Sequence, residues 1–533
     1  MKRKVEEGAA VRLTINGREV NVPRGTTLFS AAEAAGFFIP ALCRLEGFPP
    51  NTSCMVCMVE EKTSGRLMPS CSAPAENGMV IETENERVRD FRRSALELLL
   101  SEHVGDCTAP CQRSCPAQMN IPLMTRQIQN RDWRAAIATV KAEIALPAVL
   151  GRICPAPCEN ACTRRLKDGA VSICLLKQIV ADLDLAADTP FQPECLPDTG
   201  KRVAVVGAGP AGLAAAYYLR RFGHAVDLYE KESAAGGNLR SAVPVERLPR
   251  EVLDAEIATI LALGIRTHFG VELGKDVSLG QLRDQYDAVA LTTGAGAELY
   301  RGVLQVGDKG VQVDRTTLQT MLAGVFAGGN LIAESRMAVR AVAHGKTLAH
   351  SIDQYLKGLP ISGRPSRFNS IVGRLRPEEV ERMAKAASPV DRISPQDPAG
   401  GFTEEEAVAE AQRCLHCDCR KPNSCRLRLY AHEYGADPKR YRLGQRLRVE
   451  VEDRHDLVVF EPGKCIKCGI CIQIAEAAQE RLGLAFVGRG FQVRLAVPFH
   501  ESLERGLEKT ARQCAEACPT GAISLKNHEE AEP

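Results

Sequence analysis

Cysteine is the residue type that most constrains what this chain can fold into. Its 533 residues include 21 cysteines, and nineteen of these fall into five closely spaced groups or have a distant partner that fits one. In a small secreted protein they would indicate disulfides, whereas in a large intracellular chain closely spaced thiolates hold metal. Iron–sulfur clusters are therefore the first interpretation, and zinc is the alternative.

The composition sets wider bounds. A chain of this length exceeds one compact core and predicts three to five modules. Its 68 basic and 66 acidic side chains give a net charge of +2, so no overall field favours nucleic acid or a membrane surface. It has no run of ~18 apolar residues that could span a bilayer. Because the amino terminus MKRKVEEGAA lacks the apolar core of a secretory signal, we expect a cytoplasmic protein.

The first module, residues 1–85, begins with a predicted β-hairpin. VRLTI and REVNV alternate around an Asn16-Gly17 turn, and TTLFSAAEAAG predicts a short helix. A zinc ribbon would prefer two CxxC pairs, but here one CxxC pair is flanked by single cysteines. The pattern resembles the amino-terminal ferredoxin of the large iron–sulfur subunit of complex I and of iron hydrogenases. The resemblance implies a β-grasp [2Fe–2S] domain with ligands Cys43, Cys54, Cys57 and Cys71.

Residues 86–198 begin with a predicted helix, RVRDFRRSALELLLSEH, and contain HVGDCTAPCQRSC and GRICPAPCENACTRR. They resemble the helical domain that the glutamate synthase small subunit shares with dihydropyrimidine dehydrogenase. That family holds two [4Fe–4S] clusters and opens with four cysteines, whereas here His103 stands in place of the first. The resemblance implies one cluster on His103, Cys107, Cys111 and Cys162, and a second on Cys115, Cys154 and Cys158. Alternatively, His103 only caps its helix.

The fourth ligand of the second cluster is harder to identify from the sequence. The family uses a carboxylate or amide where this chain has Lys177, and a protonated lysine has no lone pair to donate. Cys174 lies three residues earlier, on roughly the same helix face, and is the natural substitute. Gln178 is the alternative, and Cys174 would then be a buried core thiol.

Residues 199–360 open with a dinucleotide-binding fingerprint, KRVAVVGAGPAGLAAAYYLRRFGHAVDLYE. It predicts a strand, a glycine turn, a helix and a second strand ending in an acid. Gly207 and Gly209 let the backbone approach a pyrophosphate, Gly212 lets helix and strand pack closely, and Glu230 is placed to accept hydrogen bonds from a ribose. The fingerprint alone leaves FAD and NAD open.

Three later segments, EKESAAGGNLRSAVPVERLP, DAVALTTGA and GVFAGGN, resemble the FAD domain of the glutamate-synthase-like flavoproteins. The resemblance implies FAD, and Asn330 replaces a family aspartate. The further residues it implies in binding are Pro210, Ala211, Gly237, Asn238, Leu239, Arg247, Gly294 and Gly329.

The family's second nucleotide domain, for NAD(P)H, has no counterpart here. Only residues 296–323 stand where it would be inserted, which is too short for a nucleotide-binding half. An FAD without its own hydride donor should exchange electrons with clusters or with another subunit.

Residues 361–402 predict an exposed connector. In 403–449, Thr403 and Glu406 form a capping-box signature before a helix. Four cysteines within twelve residues could then enclose one centre, for which we favour [4Fe–4S] over zinc: Cys414, Cys417, Cys419 and Cys425. The stretch 420–448 has nine Lys or Arg. It predicts a solvated face or a docking surface for an acidic redox partner and not a nucleic-acid site.

Residues 450–533 resemble a bacterial ferredoxin in KCIKCGICIQIA and CAEACPTGAI. The resemblance implies one [4Fe–4S] cluster on Cys465, Cys468, Cys471 and Cys518. Ala475 stands where a ligand to a second cluster would be. Cys514 and Cys195 have no assigned role.

The fold class is therefore multidomain α/β and α+β: a β-grasp ferredoxin, a helical double-cluster domain, a Rossmann-like FAD domain and a ferredoxin-like tail. We expect FAD, one [2Fe–2S] and about four [4Fe–4S] clusters, and no nucleophile–base site. The predicted function is electron transfer within an anaerobic NAD(P)H- and ferredoxin-coupled hydrogenase, formate dehydrogenase or bifurcating assembly. Partners would be a diaphorase-like FMN subunit, a further redox subunit and free ferredoxin. The alternatives are a self-contained NAD(P)H-dependent reductase and a non-catalytic redox sensor or scaffold.

Overall fold

The computed structural model describes residues 10–526 apart from 399, 443 and 445. The basic amino-terminal stretch considered above therefore lies outside the described residues except for its last residue. The chain divides into two compact units. Unit 1 consists of residues 1–108, 367–382 and 418–533, and unit 2 consists of residues 109–366 and 383–417.

The amino-terminal part of unit 1 is a five-stranded mixed sheet with a short helix. Its elements are β1 (Ala10–Ile15), β2 (Arg18–Pro23), α1 (Leu28–Ala34), β3 (Met58–Glu61), β4 (Arg66–Pro69), β5 (Val80–Glu82) and the outgoing helix α2 (Glu86–Ser101). The strand order is β2-β1-β5-β3-β4, with β1 and β5 parallel. Asn16 and Gly17 have φ angles of 48° and 80°, and β1 pairs antiparallel with β2 across them. The predicted hairpin is confirmed.

One buried arginine ties helix α2 to this sheet. The Arg92 side chain is fully buried, and its guanidinium donates to the carbonyl oxygens of Met58 at 2.9 Å and Thr83 at 2.8 Å and to the Glu84 carboxylate at 2.7 Å. A guanidinium in this position satisfies backbone acceptors that water cannot reach. The helix is thereby fixed against β3 and the end of β5.

Unit 2 begins with a helical domain. Its helices are α3 (Pro110–Ser114), α4 (Ile121–Gln129), α5 (Trp133–Glu143), α6 (Pro147–Ile153), α7 (Pro157–Asn160) and α8 (Ile173–Ala186). Helices α6 and α8 approach closely at Gly151, where an added Cβ would lie 2.8 Å from the Gln178 Cα. The apolar faces of these helices share one core.

The second part of unit 2 is a parallel α/β domain. Its elements are β6 (Arg202–Val206), α9 (Pro210–Arg221), β7 (Ala225–Glu230), α10 (Asn238–Ser241), α11 (Arg250–Leu261), β8 (Arg266–Phe269), α12 (Leu279–Gln285), β9 (Ala288–Leu291), β10 (Val306–Gly307), β11 (Gly310–Val311), β12 (Val325–Ala327) and α13 (Ala338–Leu356). The main sheet has the order β12-β9-β6-β7-β8, and every pairing in it is parallel. Its central strands are buried on both faces, as a parallel sheet requires.

Between β9 and β12 the chain makes only a short excursion. Residues 292–324 contain a 3₁₀ turn, Ala297–Tyr300, and the two-residue strands β10 and β11, which pair antiparallel. All of these residues are described, and they include no βαβ unit. The sheet therefore continues directly from β9 to its edge strand β12.

The segment predicted to be an exposed connector, residues 361–402, is in part packed, and that expectation is wrong for its middle. It contains α14 (Pro377–Ala384), in which the fully buried Glu379 carboxylate accepts hydrogen bonds from Arg446 and from the Val449 backbone N–H. The chain then enters α15 (Glu404–Ala411). Thr403 and Glu406 form the predicted capping box at its start, which is confirmed.

The rest of unit 1 is built from short elements. They are α16 (Arg426–Glu433), β13 (Val458–Phe460), α17 (Ile470–Ala477), β14 (Ala485–Val487), β15 (Arg494–Ala496), α18 (Leu503–Gly506), α19 (Ala511–Ala517) and β16 (Ile523–Leu525). β13 pairs antiparallel with β16, and β14 with β15. Helices α17 and α19 pack against each other. Across the described part of the chain, none of the helices combines the length and apolarity that a bilayer crossing needs.

Replacing Arg92 by Gln should destabilise the protein by about 3 kcal/mol, because the carbonyl groups of Met58 and Thr83 lose a buried charged donor. Urea unfolding followed by circular dichroism measures the change. Arg93→Gln is the matched control, since Arg93 lies on the same helix in an exposed pair with Asp90, and it should change stability by less than about 0.5 kcal/mol. Equal unfolding midpoints for the two variants would contradict the role of Arg92.

Candidate functional site

The four cysteines predicted to hold a [2Fe–2S] cluster lie together in unit 1, and all are buried. They form two contacting pairs, Cys43 with Cys54 and Cys57 with Cys71. A hydrogen bond to Cys43, together with burial, raises the pKa of Cys54, and the same causes involving Cys71 raise the pKa of Cys57. The same hydrogen bonds lower the pKa values of Cys43 and Cys71, so one thiol of each pair ionises readily and the second resists ionising beside it. An iron core supplies the positive charge that offsets this resistance.

The loop that carries the CxxC pair is held in an unusual backbone conformation. Thr52 and Met55 have positive φ angles of 51° and 56°, in the left-handed region that few residues with a Cβ adopt. The Ser70 hydroxyl donates to the Cys57 carbonyl at 2.6 Å, and the Thr52 hydroxyl lies 3.7 Å from the Cys71 sulfur. Local strain stabilised by the surrounding structure is typical of functional loops.

The four cysteines of the ferredoxin-like tail line one cavity in unit 1. Cys465, Cys468, Cys471 and Cys518 share its wall with apolar side chains such as Phe460. Burial is the largest cause that raises the pKa of Cys465 to about 11 and that of Cys468 to about 12. A cavity whose wall combines these four thiols with apolar groups fits a cluster with four cysteine ligands.

Cys514 is placed differently, although it is close in sequence to Cys518. It is fully buried, its thiol donates to the Cys471 carbonyl at 3.7 Å, and it is not part of the cavity wall. Cys195 is exposed.

In unit 2, the predicted second cluster site assembles around Cys174. Hydrogen bonds link the Cys174 thiol to those of Cys154 and Cys158. Burial alone would lower the pKa of Lys177, but the thiolates of Cys174, Cys154, Cys158 and Cys115 raise it. The same four thiols therefore surround one buried lysine, whose ammonium group lies 4.0 Å from the Cys174 sulfur. The Gln178 amide instead donates to the Gly400 carbonyl at 3.4 Å.

A second group in unit 2 combines cysteines from distant parts of the sequence. Burial is the main cause that raises the pKa of Cys162, and the Cys414 thiolate adds to it. The Cys417 thiol donates to the Thr163 hydroxyl at 3.2 Å. Cys111 lies on α3, which packs against α7 just before Cys162. Cys414 and Cys417 are thus neighbours of the 162–163 segment.

The remaining cysteines of these motifs lie in unit 1. The backbone N–H of Cys419 donates to the Cys107 carbonyl at 3.4 Å. Burial raises the pKa of Cys425 to about 12, and the thiolates of Cys419, Cys107 and Cys518 add to it. His103 is nearly fully buried, and burial, with the charges of Lys464 and Arg442, lowers its pKa to about 3.

Each of the two predicted groupings contains cysteines from both compact units, and both groupings stay predictions. The sequence predicts Cys107 with Cys111 and Cys162, but Cys107 lies in unit 1 and the other two in unit 2. It also predicts one centre on residues 414–425, but Cys414 and Cys417 belong to unit 2, and Cys419 and Cys425 to unit 1. Sequence reasoning also missed Lys464. This buried lysine lies beside Cys419, and its position directly before Cys465 was the available signal.

The glycine turn of the parallel domain lies at the amino terminus of α9. Gly207 has a φ of 100°, and an added Cβ would lie 2.5 Å from the Thr292 carbonyl oxygen. At Gly212 a Cβ would be 1.8 Å from the Gly207 oxygen. By contrast, a Cβ at Gly209 would meet no protein atom within 4 Å. The turn is therefore tightly packed on the protein side and open where a pyrophosphate would bind. Pro210 and Ala211 begin the helix.

The other predicted nucleotide residues surround this turn only in part. Glu230 ends β7, and its carboxylate accepts the Ala208 N–H at 2.7 Å. Gly237 precedes Asn238 and Leu239 on α10, and a Cβ there would lie 3.1 Å from the Gly209 Cα. A Cβ at Gly329 would lie 3.1 Å from that of Ala211.

Three predicted residues have other surroundings. The Asn330 side chain accepts the Ser335 N–H at 3.1 Å. Arg247 donates to the Ile153 carbonyl at 3.2 Å. Gly294 follows β9 with a φ of 76° and has no protein atom within 4 Å of an added Cβ.

The basic stretch 420–448 is less available to partners than the sequence suggests. Arg428 donates to the carbonyl oxygens of Phe368 and Pro422. Arg446 pairs with the buried Glu379, and Arg440 pairs with the buried Glu97. These three guanidinium groups are paired within unit 1, while the Arg440 side chain stays about half exposed, so a docking face here stays a prediction.

Three segments match known domain families. Residues 8–86 match a 2Fe-2S iron-sulfur cluster binding domain. Residues 101–189 match dihydropyrimidine dehydrogenase domain II, with a 4Fe-4S cluster, and residues 205–270 match an NAD(P)-binding Rossmann-like domain. The predicted [2Fe–2S], helical [4Fe–4S] and Rossmann-like nucleotide domains are confirmed.

Characterised relatives are oxidoreductase subunits. The chain is 36% identical over 261 residues to NADPH-Fe(3+) oxidoreductase subunit beta of Geobacter sulfurreducens, covering 46% of this chain and 38% of the relative. It is 34% identical over 268 residues to NADP(+)-dependent formate dehydrogenase subunit beta of Moorella thermoacetica, covering 44% and 38%. It is 40% identical over 198 residues to the glutamate synthase [NADPH] small chain of Mycobacterium tuberculosis, covering 36% and 40%. The match spans about two fifths of each relative. The resemblance to glutamate-synthase-like oxidoreductases is confirmed.

The ferredoxin-like tail offers a matched pair of substitutions. Cys518→Ala removes a cavity-lining thiol and should lower the iron content by about four atoms per chain. Cys514→Ala removes a fully buried thiol outside the cavity and should leave the iron content unchanged. Iron analysis of the two purified variants checks this. Equal losses of iron, or none in Cys518→Ala, would contradict the assignment.

Proposed function

We propose that this chain is an iron–sulfur flavoprotein subunit that carries electrons between partner enzymes. One partner would be a diaphorase-like FMN subunit that reacts with NAD(P)H. The other would be a hydrogenase, a formate dehydrogenase or free ferredoxin, in an assembly of the bifurcating or NAD(P)H-coupled kind. Relatives that are subunits of an NADPH-dependent iron reductase and of a formate dehydrogenase support this. Thiol-bound clusters suit the reducing cytoplasm.

The observation that carries the proposal is the adjacency of three thiol groups in unit 1. Burial raises the pKa of Cys468 in the ferredoxin-like site, and the Cys43 thiolate of the [2Fe–2S] site adds to it. Cys518, on the ferredoxin-like site, similarly adds to the pKa of Cys425. The Asn51 amide also donates to the Cys468 carbonyl at 2.6 Å. A structural role for clusters would not require such a succession, whereas a path for single electrons does.

Unit 2 contains a second series of adjacent groups, which runs from the nucleotide domain to the Cys115 site. Helix α13 packs along α9, which follows the glycine turn. Burial lowers the pKa of Lys346 on α13 to about 7, against the opposing effect of the nearby Cys115 thiolate. Arg364 donates to the Pro116 carbonyl at 3.4 Å. Lys346 of the nucleotide domain and Arg364 therefore both lie next to the segment that carries Cys115.

The residues fit FAD, one [2Fe–2S] and four [4Fe–4S] groups. FAD, when bound, supplies the exchange between two-electron and one-electron carriers. The chain's own contribution is to hold the pyrophosphate at the start of α9, to place Glu230 beside the ribose and to bury the thiolates away from water. In unit 2 the proposed cluster ligands are Cys115, Cys154, Cys158 and Cys174 for one group, and Cys111, Cys162, Cys414 and Cys417 for the other.

The fully described 292–324 segment contains no second nucleotide domain between β9 and β12. We therefore expect neither NADPH nor NADH to reduce the isolated chain, whereas dithionite should bleach its flavin and clusters. An anaerobic titration with each reductant, followed by absorbance, checks this. Rapid stoichiometric bleaching by NADPH or NADH would contradict the relay and favour a self-contained reductase.

The nucleotide site itself is tested by Gly209→Ala. Because a methyl group there meets no protein atom, the variant should fold normally but lose most of its bound flavin, since the methyl group occupies the space of the pyrophosphate. The control is Gly280→Ala on α12, where the nearest atom to an added Cβ is the Ser278 hydroxyl at 3.8 Å. The amount of flavin released by acid from each purified variant measures the flavin content. Normal flavin content in Gly209→Ala would place the cofactor elsewhere.

A further inference from the structure

Three buried cysteines from distant segments meet in unit 1. Cys107 follows α2, whereas Cys419 and Cys425 lie more than 300 residues later. The backbones of Cys107 and Cys419 are hydrogen-bonded at 3.4 Å, and the Cys425 side chain lies within electrostatic reach of both thiols. All three residues are classed as buried. Three thiols buried this close together can all ionise only around a common cation.

The residues around these thiols leave space at the sulfur atoms. An added Cβ at Gly521 would lie 2.5 Å from the Cys419 sulfur, so only glycine fits beside that thiol. The Cys107 sulfur accepts the Ser370 N–H at 3.4 Å. A backbone donor to a cysteine sulfur is a feature that tunes cluster potentials.

His103 lies four residues before Cys107 and has no partner for one ring nitrogen. Its Nδ1 is buried and makes no hydrogen bond among the described residues. The next residue, Val104, donates its N–H to the Gly463 carbonyl at 2.7 Å. Lys464 packs against Gly105 and also lies within electrostatic reach of Cys419. His103 and Cys419 therefore have the same buried lysine as a neighbour.

We propose that Cys107, Cys419 and Cys425, with His103 as the fourth ligand, hold one [4Fe–4S] cluster. The site goes beyond the electron-transfer function proposed above, because it names a centre whose ligands come from two segments more than 300 residues apart. Imidazole in place of one thiolate leaves the cluster with one fewer negative charge than four cysteines would give. The buried Lys464 ammonium beside Cys419 offsets part of the rest.

A single zinc ion is the alternative occupant of this group. Among the described residues, no three His, Cys, Asp or Glu side chains are arranged to hold one metal ion. In a [4Fe–4S] cluster each cysteine binds a different iron atom, so the sulfurs stand farther apart. The group is therefore matched to a multi-iron core.

Two double variants distinguish this grouping from the one that sequence spacing suggests. In the proposed arrangement Cys107 and Cys419 bind the same cluster, so Cys107→Ala/Cys419→Ala should lose about four iron atoms per chain, no more than either single variant. Cys414 and Cys419 bind different clusters, so Cys414→Ala/Cys419→Ala should lose about eight. Iron analysis of the reconstituted full chain measures both.

The reverse result would overturn the proposal. If the first pair loses about eight iron atoms and the second about four, Cys107 and Cys419 serve different clusters, as the spacing suggests. Full iron content in Cys419→Ala would also overturn it. Cys514→Ala is the control for removal of a buried thiol. None of these iron counts depends on NAD(P)H reactivity. The cluster assignment and the proposed electron-transfer function can therefore be contradicted independently of each other.

The histidine is tested by His103→Cys. This variant should keep all its iron and lower the midpoint potential of one cluster, because a thiolate adds a negative charge. The control is His432→Cys, an exposed position on α16, which should leave every potential unchanged. Unchanged potentials in His103→Cys would exclude His103 as a ligand. Should His103→Cys fail to assemble, full iron content and an unaltered EPR spectrum in His103→Ala would exclude it as well.

Discussion

The repulsion between buried thiolates is the constraint on which both units depend. Each group brings together cysteines that would resist ionising beside one another without a cation, as the raised pKa values of Cys54, Cys57 and Cys425 show. Iron cores would reverse this repulsion and, in the proposed grouping, would close long loops such as the one between Cys162 and Cys414. Binding energy of this kind is folding energy. Cluster insertion is therefore part of forming the native chain.

Buried lysines of the protein also offset the negative charge of the thiolates. Lys177 is buried among the thiols of the Cys174 group, and Lys464 is buried beside Cys419. A buried ammonium group is costly unless it is paired. The cysteine sulfurs of the proposed cluster would be the partner of Lys177 in unit 2, and Lys464 also pairs with Glu461. Cationic groups next to cluster ligands favour the reduced state, so these lysines would help to set the order of potentials along the path.

Features encoded by neighbouring residues could be predicted from the sequence. The hairpin at Asn16 and Gly17 and the capping box at Thr403 depend on a few adjacent residues, and both are confirmed. The grouping of cysteines could not be predicted, because spacing indicates only which thiols are close along the chain. The meeting of Cys107 with Cys419 is decided by how distant segments pack. Likewise, the 361–402 segment has a polar composition, yet its Glu379 is buried by a distant arginine, Arg446.

The adjacency of redox centres in unit 1 is most directly tested by EPR spectroscopy of the dithionite-reduced chain. We expect the [2Fe–2S] signal to be broadened or split by magnetic interaction with the reduced ferredoxin-like cluster, because Cys43 and Cys468 are neighbours. In Cys518→Ala the signal should become that of an isolated [2Fe–2S] cluster. A wild-type spectrum equal to the sum of non-interacting clusters would contradict the electron path.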